Sequence, residues 1–274
     1  MKIAVHQMCS TIDYEKNFEM MAAAIGRASA NGAAAYFAPE MSILLDRDRV
    51  RSAPSIEKIS EIAFIARFKL LAKKYAIWLH LGSFAQCISD EAGQNGKRAN
   101  RSIIINADGE IIAQYDKIHL FDVDLSSGES WRESSIYRAG PRPVIAPSPL
   151  GDMGLSICYD VRFPDLYSHY AKSSISAIAV PAAFTVPTGQ AHWHILLRAR
   201  AIEAEAFVIA AAQCGNHQDG RQTYGHSLVI DPWGNILLDM GQGENGDIGY
   251  ADIDMARIDD VRAQIPVHQN RRDI

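Results

Sequence analysis

Two twelve-residue segments, 102–113 and 227–238, follow one pattern, and that repetition narrows the folds open to the chain. In the first, Ser102-Ile103-Ile104-Ile105 and Ile111-Ile112-Ala113 flank Asn106-Ala107-Asp108-Gly109-Glu110. In the second, Ser227-Leu228-Val229-Ile230 and Ile236-Leu237-Leu238 flank Asp231-Pro232-Trp233-Gly234-Asn235. Each is an apolar, β-branched run broken by a turn carrying aspartate and glycine, the signature of a β-hairpin. Two hairpins so alike imply two halves built on one plan.

The segments ahead of each hairpin extend the parallel. Ile3–Val5 starts a strand, and 14–30 has helical spacing at Phe18, Met21, Ala22 and Ile25, closed by Asn31-Gly32. Tyr36–Ala38 is the next strand and runs into Pro39-Glu40. A helix is predicted over about 55–75 from Ile59, Ile62, Ala63, Ala66 and Leu70, followed by a strand over 78–84. The later half repeats the order: strand 154–158, helix 164–172, strand 177–180. Strands alternating with helices, plus antiparallel hairpins, predict a mixed α/β protein. Two halves, each with a sheet face to bury, predict a four-layer α-β-β-α sandwich related by a pseudo-twofold axis. One doubly wound sheet would leave the paired hairpins unexplained. No linker separates the halves, so one domain is expected over 1–274.

Composition excludes several classes of function. A net charge of −5 without a basic stripe argues against a nucleic-acid surface. Arg47, Arg49 and Arg51 alternate with Asp46 and Asp48, which reads as a solvated loop or helix face. Cys9, Cys87, Cys158 and Cys214 are scattered and form no Cys-x-x-Cys pair, which suits a reduced, cytoplasmic chain. The start of the chain turns polar too soon for a signal peptide, and no run reaches the roughly 20 apolar residues of a membrane span. The expected partner is a small molecule, with neither nucleic acid nor membrane.

Three strand ends carry candidate chemistry. Cys158 stands where an apolar run turns sharply toward Pro164; on its own it reads as a buried structural thiol. Glu40 follows a strand, where a glutamate can also cap a helix, and Lys117 in Tyr115-Asp116-Lys117-Ile118-His119 could be a surface charge. Ligand sites in α/β folds gather at strand ends, and all three residues lie in apolar or aromatic surroundings there.

The segments Phe37-Ala38-Pro39-Glu40-Met41, Tyr115-Asp116-Lys117-Ile118-His119-Leu120-Phe121-Asp122 and Cys158-Tyr159-Asp160-Val161-Arg162-Phe163-Pro164 resemble, in order and spacing, the signatures of the nitrilase superfamily of carbon–nitrogen hydrolases. The likeness runs over nearly the whole chain. It implies an amidase with no cofactor and a Glu-Lys-Cys site: Cys158 as thiolate nucleophile, Glu40 as general base, Lys117 stabilising the oxyanion with the backbone N–H of Tyr159. By position Glu133 resembles the family's additional glutamate that orients the lysine; Glu129 is the competing candidate, and a surface-loop role is open to either.

The stretch from Pro181 to Glu203 resembles the branch acting on small ω-amides of 2-oxo acids, and 210–215 with 224–227 resembles the deaminated glutathione amidases more than the ω-amidases of 2-oxoglutaramate. That implies a carboxylate to be bound. Arg162 is the candidate partner, with an ion pair to Asp160 or Asp165 as its structural alternative. Phe184 is a candidate for the substrate wall. His192 and His194 suggest a metal, but residues two apart on a helix diverge, so none is expected. Arg198, Arg200, Glu203 and Glu205 read as an ion-pair face on a helix. The resemblance also implies a homodimer or higher oligomer. Competing readings are another small-amide or N-carbamoyl hydrolase, an acyl transferase, a non-catalytic binding protein, and a thiol hydrolase using His119 or His226 as base.

Overall fold

A computed structural model describes residues 1–88, 97–124, 128 and 130–272. Its first sheet has seven strands. Asp247–Asp252 lies antiparallel to Lys2–Gln7, and Ala35–Phe37 and Trp78–His80 follow in parallel. Arg98–Ile105 comes next, antiparallel, and pairs with both Phe84–Cys87 and Ile111–Asp116. The second sheet has six strands in the order Ile236–Asp239, Leu228–Ile230, Phe207–Ala210, Ala177–Ala179, Gly151–Leu155, Ile145–Ser148. Placed side by side, the sheets match. Each has three parallel strands, an antiparallel hairpin on one flank and a single antiparallel strand on the other, and the first sheet adds Phe84–Cys87 beside its hairpin.

Alternation along the strands builds the layers. Ile3, Val5, Ala35, Phe37 and Ile104 share a core with Met153, Leu155, Ala177, Ala179, Phe207 and Ile209 of the second sheet. Ala4, Tyr36, Ile103 and Ile105 point the other way, onto helices α1 (Tyr14–Ala30), α2 (Arg49–Ser60) and α3 (Ile62–Tyr75). Behind the second sheet lie α4 (Pro164–Lys172) and α5 (Val186–Ala204), whose Tyr167, Tyr170, Trp193 and Leu197 are fully buried. The result is the four-layer α-β-β-α sandwich, closed by α6 (Ala256–Gln264) and a short turn of helix at Val267–Asn270. Among the described residues no helix is long and apolar enough to cross a membrane.

Two sequence expectations need correction. The helix over 55–75 is two helices, α2 beginning at an Asp48 N-cap and α3 beginning after Glu61, whose ψ of 140° is extended. The break resets the helical phase: Phe64, Ile65, Phe68 and Ala72 are buried, while Ile62 and Leu70 are 90% and 68% exposed. Larger aromatic surface decides which face turns inward. The strand over 78–84 is likewise two strands, interrupted at Gly82.

Candidate active site

Each of the three predicted strand ends delivers its side chain to one place. Glu40 lies just past Ala35–Phe37, held by Ala38 N donating to His80 O and Ser83 N to Pro39 O. The neighbouring Met41 takes a left-handed φ of 54°. Lys117 directly follows Ile111–Asp116, with its N–H on Asn100 O. Cys158 opens a five-residue 3-10 turn, Cys158–Arg162, with φ of 50°, a strained value for a side chain of any size. Its N–H donates to Pro181 O.

Asp160, fully buried, secures that turn. It accepts hydrogen bonds from Ile157 N, Tyr115 Oη, His119 N and the His119 ring. The Lys117 segment and the Cys158 turn therefore share one carboxylate. His119 also stacks on Phe163 at 3.7 Å between ring centres.

The charges are concentrated and dry. Lys117 Nζ lies 2.9 Å from Glu40 Oε1 and 2.9 Å from Glu133 Oε2. The three side chains are 2%, 6% and 13% exposed, which keeps water from screening the pairs. Asn100 donates to both carboxylates, at 2.9 Å to Glu40 and 3.2 Å to Glu133. Ala183 N donates to Glu40 Oε2, and Phe121 N donates to Glu133 Oε2. The Cys158 thiol lies close enough to Glu40 for each to shift the other's protonation.

These surroundings set the protonation states. Burial pushes the Glu40 carboxyl up, but the Lys117 charge and the hydrogen bonds from Cys158, Lys117 and Asn100 outweigh it and hold the group below the usual carboxylate range. Burial would lower Lys117, yet Glu133 and Glu40 raise it well above an ordinary lysine. Burial and then the Glu40 charge push the Cys158 thiol well up, against the smaller pull of Lys117. These shifts favour a carboxylate, an ammonium and a neutral thiol in the resting site, with Glu40 placed to take the thiol proton.

A cavity of about 420 Å³ opens over this cluster, large enough for a ligand of peptide size. Glu40, Lys117, Glu133, Cys158, Tyr159, Arg162 and Phe184 all line it. Glu129 lies outside the described residues, and Glu133 meets Lys117. Arg162 pairs with neither Asp160 nor Asp165. It reaches His192 Nδ1 at 3.2 Å, and its guanidinium lies over the Phe184 ring at 5.3 Å. His119 and His226 are not among the lining residues, and the thiol's partner is a carboxylate.

The predicted ion-pair face on α5 does not form as a set. Arg200, 5% exposed, bonds Val161 O and Glu203 and so braces the Cys158 turn from behind. Arg198 bonds Gly234 O, and the buried Glu205 accepts from Val267 N. Sequence reasoning missed Asn100 and Gln213, the latter donating to Glu40 O and fixing the loop between the halves. Asn100 sits on an alternating strand, where one polar residue has no signal to set it apart.

Comparison with known proteins agrees with this architecture. A family model described as carbon–nitrogen hydrolase matches residues 2–263. The deaminated glutathione amidase of Dictyostelium discoideum is 40% identical over 275 residues, covering 99% of this chain and 94% of that protein. Among solved structures, the Caenorhabditis elegans NitFhit protein superposes with a TM-score of 0.88 at 36% identity; the match covers 99% of this chain and 65% of that one. Saccharomyces cerevisiae Nit3, a member of branch 10 of the nitrilase superfamily, gives 0.86 at 30% identity, covering 100% of this chain and 97% of that one.

Proposed function

The chain belongs to the carbon–nitrogen hydrolase family, and on that premise we propose that it is an amidase cleaving deaminated glutathione through a Cys158 thioester. The observation that carries the mechanism is the buried contact set in which Lys117 bridges Glu40 and Glu133 on the cavity wall that also holds the Cys158 thiol. As sulfur bonds to the amide carbon, its proton passes to Glu40, and the charge appearing on the carbonyl oxygen meets Lys117 and the Tyr159 N–H. Glu40 hands that proton to the departing nitrogen, leaving a thioester and a free amine. It then takes a proton from water as the water attacks the thioester, and returns it to sulfur as the acid leaves. Glu133 keeps Lys117 charged and aimed. The whole chain 1–274 acts as one domain, with the catalytic residues drawn from both halves.

The substrate follows from what lies beyond the reacting atoms. Deaminated glutathione has a 2-oxo acid carboxylate on one side of the scissile amide and a second carboxylate on the leaving peptide. Arg162 suits the first, since a guanidinium can grip a carboxylate with two parallel hydrogen bonds. Arg47, Arg49 and Arg98 line the outer cavity and suit the second. 2-Oxoglutaramate, with one carboxylate and half the bulk, would leave most of the cavity empty. Four free cysteines fit a reducing, cytoplasmic setting, and Ile195 and Ile202, exposed on α5, fit a homodimer contact.

The test is a panel of deaminated glutathione, 2-oxoglutaramate and a simple nitrile. The parent chain should hydrolyse the first fastest, and Cys158→Ala should fold yet lose at least about a thousandfold in rate. Undiminished turnover by Cys158→Ala would sink the mechanism. Preference for 2-oxoglutaramate would instead move the assignment to an ω-amidase.

A further inference from the structure

On the outer face of the second half, α5 meets the hairpin Leu228–Asp239 through three polar side chains. His194 Nε2 is 3.1 Å from Asp239 Oδ2, and His226 Nδ1 is 2.9 Å from Asp239 Oδ1. All three ligand atoms lie within 4.8 Å of one another. Zinc bound by imidazole nitrogen and carboxylate oxygen at about 2.0–2.2 Å in tetrahedral geometry sets neighbouring ligands roughly 3.3 Å apart. The two ring nitrogens now meet different oxygens of Asp239 at hydrogen-bond distance, so zinc takes the place of the protons between them, and rings and carboxylate must draw in from the present 4.8 Å limit to share one centre.

The ligands are held from behind, as ligands in metal sites are. The His226 backbone is fixed on both sides: its N–H donates to Gly241 O at 2.7 Å, and its carbonyl accepts from Trp193 Nε1 at 2.8 Å. Asp239 Oδ1 also accepts from Gly241 N. The Tyr224 ring stacks on His226 at 4.5 Å and stands edge-on to His194 at 6.2 Å, shielding one side. The other side is open. His194, His226 and Asp239 are 29%, 23% and 33% exposed, so an ion and its remaining water ligand can enter.

We propose that His194, His226 and Asp239 form a binding site for a divalent transition-metal ion, zinc above all, separate from the amide-cleaving site. Two neutral imidazoles and one carboxylate favour zinc over magnesium or calcium, which prefer all-oxygen shells. The ion clamps α5 to the hairpin. The same helix begins at Val186 and carries Thr188 into the wall of the substrate cavity, so the clamp steadies that wall from outside. His192 is not part of this set, since it turns to Arg162. The partners of His194 lie 32 and 45 residues downstream, on a hairpin that sequence spacing could not connect to it.

Zinc titration by calorimetry tests this in a chain with Cys9→Ser, Cys87→Ser and Cys158→Ala, which removes three competing thiols. The expected result is one zinc per chain and a rise in melting temperature on binding. His194→Gln and Asp239→Asn should each weaken binding at least about tenfold and abolish the melting shift, whereas His192→Gln should change neither. Introduced singly into the thiol-containing chain, the same two substitutions should leave amide hydrolysis running without added metal, which shows that the variants fold. Absence of zinc binding in the parent, or binding that survives both substitutions, overturns the site.

Discussion

A neutral thiol beside an ionised carboxylate makes proton transfer part of the attack, since no thiolate stands ready in advance. That has a signature in the pH dependence of kcat/KM. Glu40 is held below the usual carboxylate range and Cys158 and Lys117 well above their own, so none of these three titrates in the neutral region. Between about pH 5 and pH 9 the profile should be level, falling in acid as Glu40 gains a proton. A limb near pH 6.5 would instead report a histidine base and remove Glu40 from that role. At this scale the sequence was informative where chemistry forces a residue type. A nucleophile, a base and a cation at three strand ends are a recognisable set, and Glu40, Lys117 and Cys158 do converge. The supporting groups were not legible. Asn100 works through the geometry of two hydrogen bonds, and Asp160 works by accepting from four donors on two segments.

Elements place these residues, and the turns between them matter more than the regular parts. The break at Gly82 illustrates this. Its φ is +68°, and a Cβ there would stand 1.8 Å from Pro39 O and 2.5 Å from Ala38 O, the carbonyls just ahead of Glu40. Gly82→Ala must therefore push the Glu40 loop as well as strain its own backbone. The expected outcome is a loss of more than about 1 kcal/mol in stability together with a fall in kcat of tenfold or more. Gly32→Ala supplies the comparison, with φ of +75° but nothing within 4 Å of the added carbon. It should lose stability and keep its rate. Equal rates for the two variants in a urea-and-kinetics series would show that the loop does not transmit the clash. Sequence periodicity described the long helices and both hairpins well because apolar spacing and turn residues are local signals. It failed at Glu61 and Gly82, where tertiary contacts end one element and begin another.

The two halves meet across a sheet-on-sheet core, and the interior has its own proton economy. His6 and His80 sit on strands of the first sheet that flank Ala35–Phe37 on either side, 6% and 3% exposed. Burial lowers them to about 3 and about 4. Gly82 N donates to His80 Nδ1, so Nε2 carries the ring proton, toward Ser102 Oγ. In the unfolded chain both titrate near 6.5; in the folded chain they stay neutral until far lower pH. Unfolding below pH 6.5 therefore takes up protons, and stability must fall as pH drops from about 6.5 toward 4. Each histidine adds up to about 1.4 kcal/mol per pH unit to that slope. Glu40, also depressed, adds its own loss only as pH falls below the usual carboxylate value of 4.5. Urea midpoints measured from pH 7.5 to 5 should decline steadily, and His80→Gln should make the decline shallower. A midpoint constant across that range would mean that the buried rings gain protons without unfolding.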